Sequence, residues 1–310
     1  MALRADGSNL RRLLGCLIAL SLTALMVTGC DSDADGDEAV DEDPVELSFA
    51  FQPQENPEGL QLDAEQLGAF ITEQTGYDVE IYLPTSYAAV VEALRSENAD
   101  VAYFSGLPYM MAHDMAGAEL LVVEERDGQP FYYSQWYALE DSDIDSLDDL
   151  QDRSIAFTSH SSTSGFLFPM AEVIEQGLVE EGGEPGDFFG DVVYAGGYQQ
   201  ALQSLVNNQV EAAAASDYAL ETYLSEEERE RIKVIAEQGP VPTHGLAIRG
   251  DLDDEIKETV RQALLELNSE EHTELLRSVY GAERLVEVDH DDHVDALQRA
   301  YELVDLDNDI

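Results

Sequence analysis

The sequence predicts an α/β protein with two lobes and a ligand cleft between them. Predicted strands alternate with predicted helices along residues 45–116, an order typical of parallel α/β layers. The chain leaves this first lobe near residue 135 and returns to it near residue 244, so two connectors join the lobes. About 265 residues follow residue 45, which is enough for two modest lobes. Ligands usually bind in such clefts, outside the carboxyl ends of parallel strands.

The first lobe is predicted to comprise residues 46–134 and 245–310. Short apolar runs and alternating apolar residues predict strands, and apolar residues at helical spacing predict helices. The predicted strands are residues 45–51, 77–83, 100–104, 120–125 and 246–249, and the predicted helices are 62–75, 85–95, 105–116, 253–267, 270–280 and 293–304.

The second lobe is predicted to comprise residues 135–244, by the same criteria of hydrophobic spacing. The predicted strands are residues 132–139, 154–158, 192–194, 210–215 and 232–237, and the predicted helices are 146–150, 165–179 and 198–207. Trp136 lies on the first of these strands and is interpreted either as a core residue or as a side chain that stacks on a ligand.

The N-terminus has the pattern of an export signal. Three arginines precede the apolar residues 13–26, which are too few to span a bilayer comfortably, since a span takes about 20 residues. Small residues then lead to Cys30, an arrangement that resembles a lipobox. We predict a lipoprotein signal peptide over residues 1–29 and lipidation of Cys30. An ordinary N-terminal membrane helix or a plain secretory signal are the alternatives. The acidic residues 30–45 are predicted to form a disordered tether, or else an acidic interaction tail.

The net charge excludes one class of partner. The sequence has 66 acidic and 15 basic residues and a formal net charge of −51. Nucleic acid is a poor partner for such a chain, because the chain has no basic surface to neutralise the phosphates of the nucleic acid. The excess of carboxylates favours a halophilic source, where salt screens the repulsion between them. The charge by itself identifies no ligand.

Three segments share one arrangement, in which a strand ends, a hydroxyl-rich turn follows and a helix begins. They are Thr85-Ser86-Tyr87, Phe104-Ser105-Gly106 and Ser162-Thr163-Ser164-Gly165. The first turn of a helix has unpaired N–H groups and a partial positive charge, which together favour an anion. If the three turns face one cleft, they could hold an oxyanion without any basic side chain. Each turn taken alone could be an ordinary helix cap.

Several segments, in order from about residue 46 to 267, resemble the phosphate/phosphite/phosphonate-binding proteins of ABC importers. The central signature covers residues 149–157 and continues through Ser162-Thr163-Ser164-Gly165 to Pro169. Similar segments are residues 52–57, 84–94, 100–109, 196–205, 210–214 and 240–249. Each segment alone is a weak match, and their order makes the resemblance specific.

The resemblance implies a periplasmic-binding-protein fold of type II, with a ligand cleft between two lobes joined by two crossing strands. It also implies a phosphorus-type anionic group held between the lobes. By position in the motifs, the implied ligand-binding residues are Tyr87, Ser105, Tyr132, Ser134, Ser162, Thr163, Ser164 and Asp217. Among these, Tyr132 and Ser134 lie two apart and therefore on one face of a strand.

Two positions depart from the family pattern and are included among the predicted ligand contacts. Tyr198 stands where the family commonly has His, and His244 stands where it commonly has an acid. Acids at such positions meet the ammonium of aminoalkylphosphonates in some relatives, so phosphate, phosphite or another small oxyanion gains weight here. His244 could be a pH-sensitive contact, since histidine titrates near neutral pH, or an ordinary loop residue.

The sequence therefore predicts a monomeric substrate-binding lipoprotein that captures a small oxyanion on the outer face of a membrane. Its predicted partners are an ABC permease and its ATPase. We expect no catalysis, no cofactor and no metal, because no activated nucleophile or phosphate-loop lysine is visible. The cluster His290-Asp291-Asp292-His293 is interpreted as a helix start. The alternatives are a protein of the same fold for another small anion and a sensory or accessory solute-binding lipoprotein.

Overall fold

A computed structural model describes residues 44–52 and 57–306 of the 310-residue chain. The predictions made for the signal peptide, for Cys30 and for nearly all of the tether lie outside these described residues. Within them, no helix is long and apolar enough to cross a membrane.

The first lobe is built on a six-stranded mixed sheet with strand order β11-β4-β10-β3-β1-β2. Its strands are β1 (Glu46–Phe51), β2 (Asp78–Tyr82), β3 (Val101–Phe104), β4 (Glu119–Glu125), β10 (Gly245–Ile248) and β11 (Arg284–Val286). Strand β1 pairs in parallel with β2 and β3, and β10 pairs antiparallel with β3 and β4. The chain therefore returns from the second lobe into the middle of this sheet.

The second lobe is built on a five-stranded sheet with strand order β7-β6-β8-β5-β9. Its strands are β5 (Phe131–Leu139), β6 (Ile155–Phe157), β7 (Val192–Tyr194), β8 (Ala212–Ser216) and β9 (Ile232–Pro242). Strands β6, β7 and β8 run in parallel, and β5 pairs antiparallel with β8 and β9. Strands β5 and β9 are the two that connect with the first lobe, so the predicted pair of crossings is present.

Helices cover both sheets, as the alternating pattern predicts. They are α1 (Pro57–Thr75), α2 (Tyr87–Arg95), α3 (Gly106–Ala116), α4 (Phe168–Glu175), α5 (Tyr198–Val206), α6 (Ala219–Tyr223), α7 (Glu226–Arg229), α8 (Asp254–Glu266), α9 (Thr273–Tyr280) and α10 (His290–Val304). The sequence analysis missed β11, α6 and α7, which have three to five residues each. Elements this short contain too few residues to show a period.

The helix predicted over residues 165–179 has a different shape. A π-helical turn (Thr163–Leu167) comes first, and α4 follows it and ends at Glu175. The turn starts at Ser162, whose hydroxyl accepts a hydrogen bond from the Gly165 amide at 3.1 Å. Single π-turns are rare and occur often at functional sites.

The hydrophobic core of the second lobe settles the interpretation of Trp136. Its indole is fully buried and packs edge-on against Phe157, with ring centroids 5.4 Å apart. It also packs against the tilted ring of Phe189, with ring centroids 5.5 Å apart. Trp136 is therefore a core residue of this lobe.

The C-terminal helix α10 belongs to both lobes. Val294, in its first turns, packs in a cluster of the first lobe with Val90 and Phe104. Its other buried residues, Leu297, Ala300 and Val304, pack in the core of the second lobe. The sequence analysis assigned all of residues 245–310 to the first lobe, and it did not foresee this second attachment because helical spacing does not say which surface a helix covers.

Candidate ligand-binding site

A cavity of about 560 Å³ lies between the two lobes. Six of the ten predicted ligand-binding residues line it: Tyr87, Ser105, Ser162, Thr163, Tyr198 and His244. Both lobes contribute to these six, as expected for a cleft where the carboxyl ends of parallel strands from two sheets meet.

The turn at Ser162 forms the wall on the side of the second lobe. Thr163 reaches across the cleft, and its hydroxyl oxygen accepts a hydrogen bond from the Leu107 amide of α3 at 2.9 Å. The Thr163 hydroxyl proton remains free to be donated, and an N–H bonded to the same oxygen polarises it. Thr163 thus lines the cavity and bonds the first turn of α3 at the same time.

Gly165 is required by the close packing behind this turn. A Cβ atom at this position would lie 2.1 Å from Oγ1 of Thr158 and 2.5 Å from its Cγ2. The backbones of the two residues are joined as well, because the Thr158 amide donates to the Gly165 carbonyl at 3.1 Å. No side chain fits between them, so only glycine allows the turn to approach the end of β6.

A hydroxyl network supports the turn from behind. The hydroxyls of Ser164 and Tyr198 lie 2.6 Å apart, and Tyr132 donates to the Ser164 hydroxyl at 3.1 Å. The Ser134 hydroxyl donates to the Ser164 carbonyl at 2.6 Å and accepts from the side-chain amide of Gln238 at 2.7 Å. Burial raises the pKa of Tyr132 well above its usual value, and burial also raises the pKa of Tyr198, so both phenols keep their protons.

Two buried hydroxyls near the Ser162 turn and the start of α3, on residues that line the cavity, have no hydrogen-bond partner among the described residues. They are Ser105, which is 5% exposed, and Thr158, which is 4% exposed. Ser105 precedes α3 but makes no side-chain cap bond, and its amide donates to the Gln52 side chain at 2.8 Å. A buried polar group without a partner costs stability, so such hydroxyls are expected to be satisfied by a ligand or by water.

A charged cluster at the first-lobe end of the cavity was missed by the sequence analysis. The Nε of Arg126 donates to the Glu124 carboxylate at 2.9 Å, and the guanidinium lies 4.8 Å from the ring centre of Tyr218 in the second lobe. Tyr103 donates a short hydrogen bond to the same carboxylate, and Nδ1 of His244 lies 3.7 Å from it. Arg126 directly follows β4 and lies two residues after Glu124, a spacing that in extended chain puts both side chains on one side and could have indicated the pair.

The electrostatics of this cluster favour the ionised forms of Glu124 and Arg126. Burial alone would raise the pKa of Glu124, but Arg126, the nearby His244 and the hydrogen bond from Tyr103 outweigh burial and hold that pKa below its ordinary value. Burial opposes the charge on Arg126 too, and Glu124 reverses the effect, so the pKa of Arg126 is raised. Both Arg126 and Arg277 line the cavity, so the cleft offers basic side chains in addition to the hydroxyl-rich turns.

Comparisons with known proteins agree with this fold and this cleft. Residues 49–293 match the family model described as the periplasmic substrate-binding protein of phosphonate ABC transporters. The chain belongs to this family. The resemblance seen in the sequence is confirmed, and with it the type II periplasmic-binding-protein fold. The family consists of transport proteins that bind substrates, and it is not a family of enzymes.

Individual relatives share between about a quarter and a third of their residues with this chain. The chain is 31% identical over 207 residues to the phosphate-import protein of Mycolicibacterium smegmatis and 25% identical over 221 residues to the phosphonates-binding periplasmic protein of Escherichia coli. These matches cover 64% and 69% of this chain and 64% of each curated relative. A crystal structure of a binding protein of a phosphonate transporter from Pseudomonas aeruginosa is 24% identical, with a TM-score of 0.72 over 86% of this chain and 90% of that one.

Four of the predicted residues do not line the cavity. Tyr132, Ser134 and Ser164 form the network behind its wall, as described above. Asp217 holds the turn after β8, where its carboxylate accepts from the Tyr133 amide at 3.0 Å and from the Tyr218 amide at 2.9 Å. Direct contact of these four with a ligand stays a prediction, whereas their contacts within the protein give them a structural role.

The histidines at the start of α10 also make contacts within the protein. His290 Nδ1 lies 2.7 Å from the Tyr109 hydroxyl, and His293 Nε2 lies 3.3 Å from the Thr243 carbonyl. The helix begins at Asp289, whose side chain accepts hydrogen bonds from two amides of its first turn. The interpretation of residues 290–293 as a helix start is confirmed.

Proposed function

We propose that this protein is the substrate-binding component of an ABC importer and captures a phosphorus oxyanion for a membrane permease and its ATPase. The observation that carries the proposal is the pair of buried hydroxyls of Ser105 and Thr158, which line the cavity as residues and have no hydrogen-bond partner among the described residues. They lie beside the Ser162 turn and the first turn of α3, both of which favour negative charge. An oxyanion has enough acceptor atoms to bind all of these donors at once.

The charge of the cleft supports an anionic ligand. Among the residues that the structure describes, its lining includes two arginines, Arg126 and Arg277, and one carboxylate, Asp63. The whole sequence has 66 acidic and only 15 basic residues, so this distribution is opposite to that of the rest of the chain. A locally positive cleft on an acidic protein guides an anion to one place on the surface.

Ligand capture by lobe closure follows from the position of these groups on both lobes. A ligand that bonds Ser105 in the first lobe and Ser162 in the second stabilises the closed form over the open one. Because Thr163 already joins the two lobes through the Leu107 amide, its contribution depends on closure. The permease would then recognise the closed, loaded protein.

Titration calorimetry with phosphate, phosphite and methylphosphonate tests the proposal directly. We expect saturable binding of at least one of these at one site per chain, in a buffer of high ionic strength. Sulfate and a small dicarboxylate serve as comparison ligands. Binding of these two with silence from all phosphorus compounds would reject the ligand class and favour the alternative of another anion.

Replacing Thr163 by valine is expected to weaken binding of the phosphorus ligand by about 1.5–3 kcal/mol, or roughly tenfold to 150-fold. Valine keeps the shape of the side chain and removes the hydroxyl that joins Leu107 to the ligand. Thr163→Ser, which keeps the hydroxyl, should bind nearly as well as the wild type. Thr259→Val is a matched control, since that hydroxyl bonds only the Glu255 carbonyl of its own helix. Equal affinity of the valine and serine variants would refute the role of the hydroxyl.

The remaining parts of the proposal concern the cell surface and rest on the sequence. We propose that Cys30 carries a lipid anchor and that residues 31–45 hold the lobes away from the membrane. A tethered capture protein stays near its permease at a high effective concentration. The acidic composition suits a halophilic source, where salt screens the repulsion among carboxylates. The protein is proposed to act as a monomer and to catalyse no reaction.

A further inference from the structure

A polar group of first-lobe side chains lines the cleft, whereas the hydroxyl-rich turn at Ser162 belongs to the second lobe. Tyr280, at the end of α9, is 3% exposed and lines the cavity, and its hydroxyl has no hydrogen-bond partner among the described residues. His244 and Arg126 line the same cavity. A buried phenol without a partner is costly, so its presence on a cavity wall indicates a ligand group that meets it.

These three side chains form one cluster around Tyr103. The Tyr103 ring lies 5.3 Å from the ring of Tyr280 and 5.5 Å from that of His244, measured between centroids. Arg126 Nη2 donates to the Tyr280 carbonyl at 2.9 Å, and Nη1 donates to the Gly281 carbonyl at 2.9 Å. The guanidinium is therefore held in place beside the phenol and the imidazole before any ligand binds.

The residues of the cluster that line the cavity are hydrogen-bond donors, and the carboxylate of the cluster does not line it. Glu124 is fully buried, does not line the cavity, and accepts bonds from Tyr103 and Arg126. Burial raises the pKa of Tyr280 well above its usual value, so the phenol keeps its proton for donation. Among the described residues, Asp63 of α1 is the carboxylate that lines the cavity, and Glu124 of this cluster does not. An anionic acceptor at the cluster would find Tyr280, His244 and Arg126.

The cavity has room for a ligand larger than a simple oxyanion. Its volume of about 560 Å³ is within the range of sites for substituted small molecules, which is about 300–1,000 Å³. A phosphate-sized anion displaces only a few waters of roughly 30 Å³ each. The lobes are already in contact across the cleft at Thr163 and Leu107. Because this contact is made, the cavity volume is that of lobes in contact, and much of it remains beside a bound oxyanion.

We propose that Tyr280, His244 and Arg126 form a second subsite for an anionic acceptor, and that the substrate is a phosphonate carrying a carboxylate on its carbon chain. The subsite rests on the proposed function, since the phosphonate group itself binds at the hydroxyl-rich turn. The carboxylate accepts from the phenol and the imidazole, and the charge of Arg126 stabilises it. The subsite discriminates against ligands whose second group is an ammonium.

Calorimetric titrations with phosphonoacetate, methylphosphonate and 2-aminoethylphosphonate test the subsite. We expect phosphonoacetate to bind about tenfold or more tightly than methylphosphonate, and 2-aminoethylphosphonate to bind most weakly. Tyr280→Phe should reduce the ratio of phosphonoacetate to methylphosphonate affinity at least about threefold. Tyr133→Phe is the matched control, because that exposed tyrosine of β5 does not line the cavity, and it should leave the ratio unchanged.

The outcomes separate the subsite from the proposed function. If methylphosphonate or 2-aminoethylphosphonate binds as tightly as phosphonoacetate, the subsite is refuted while the binding of phosphorus oxyanions stands. A preserved ratio in Tyr280→Phe also refutes it, even if phosphonoacetate binds best. Silence from all three compounds, and from phosphate and phosphite, rejects the proposed function and the subsite with it.

Discussion

Replacing Gly165 by alanine is expected to destabilise the protein by about 3 kcal/mol, at the upper end of the usual cost of overpacking, and to abolish tight ligand binding. The new methyl group would lie 2.1 Å from Oγ1 and 2.8 Å from Cβ of Thr158. Thr158 is buried, and its amide is bonded to the Gly165 carbonyl, so neither residue can move away without losing that bond. The turn from Ser162 would shift and its hydroxyls would leave the cleft.

Urea denaturation and ligand titration of the variant measure the two effects. Gly186→Ala is the matched control, because a Cβ atom there meets nothing within 4 Å, and its stability should change by less than about 0.5 kcal/mol. Adding Thr158→Ala to the Gly165 variant should restore part of the stability, since it removes the two closest atoms. A Gly165→Ala protein as stable as the wild type would show that the turn is not held rigidly.

Replacing Glu124 by glutamine is expected to cost about 3 kcal/mol of folding stability. The substitution leaves the Arg126 guanidinium partly buried without its counter-ion, and it weakens the acceptor for Tyr103. Breaking one partner of a buried pair is costly because the other charge stays desolvated. Glu125→Gln, the neighbour on β4 with no described ion pair, should change stability by less than about 0.5 kcal/mol.

The pH dependence of this variant gives a second measurement. Arg126 lowers the pKa of Glu124 in the folded protein, despite burial, so the carboxylate contributes stability that is complete above its unfolded pKa of about 4.3. That contribution is lost as the pH falls through the folded pKa. The difference in unfolding free energy between wild type and Glu124→Gln should therefore shrink as the pH is lowered below about 4. A difference that stays constant or grows would contradict the assignment.

Much of the fold follows from local patterns in the sequence. The alternation of strands and helices, and the return of the chain near residue 244, correctly indicated two sheets joined by two crossings. The hydroxyl-rich turns at Ser105 and Ser162 could be located in the sequence because each lies where a strand ends and a helix begins, and helix starts expose unpaired amides. These features depend on residues close together in the chain.

The rest of the site depends on contacts that the sequence does not encode locally. Glu124 and His244 are 120 positions apart and meet only because β10 returns beside β4. The spacing of Tyr132 and Ser134 correctly placed both on one face of β5, but it did not show that this face meets Ser164 behind the cavity wall. The contribution of Arg126 and Arg277 to the cleft could not be read from composition, which does not say where the few arginines lie.

Helix α10 affects how the two lobes can move. Its first turns are embedded in one lobe at Val294, and its last turn is tied to the other, where the Leu303 carbonyl accepts from the Gly182 amide at 3.1 Å. Together with the two crossing strands, it makes a third mechanical link between bodies that have to rotate. A rotation of one lobe against the other therefore has to strain or displace α10 between Val294 and Leu297, where its contacts pass from the first lobe to the second.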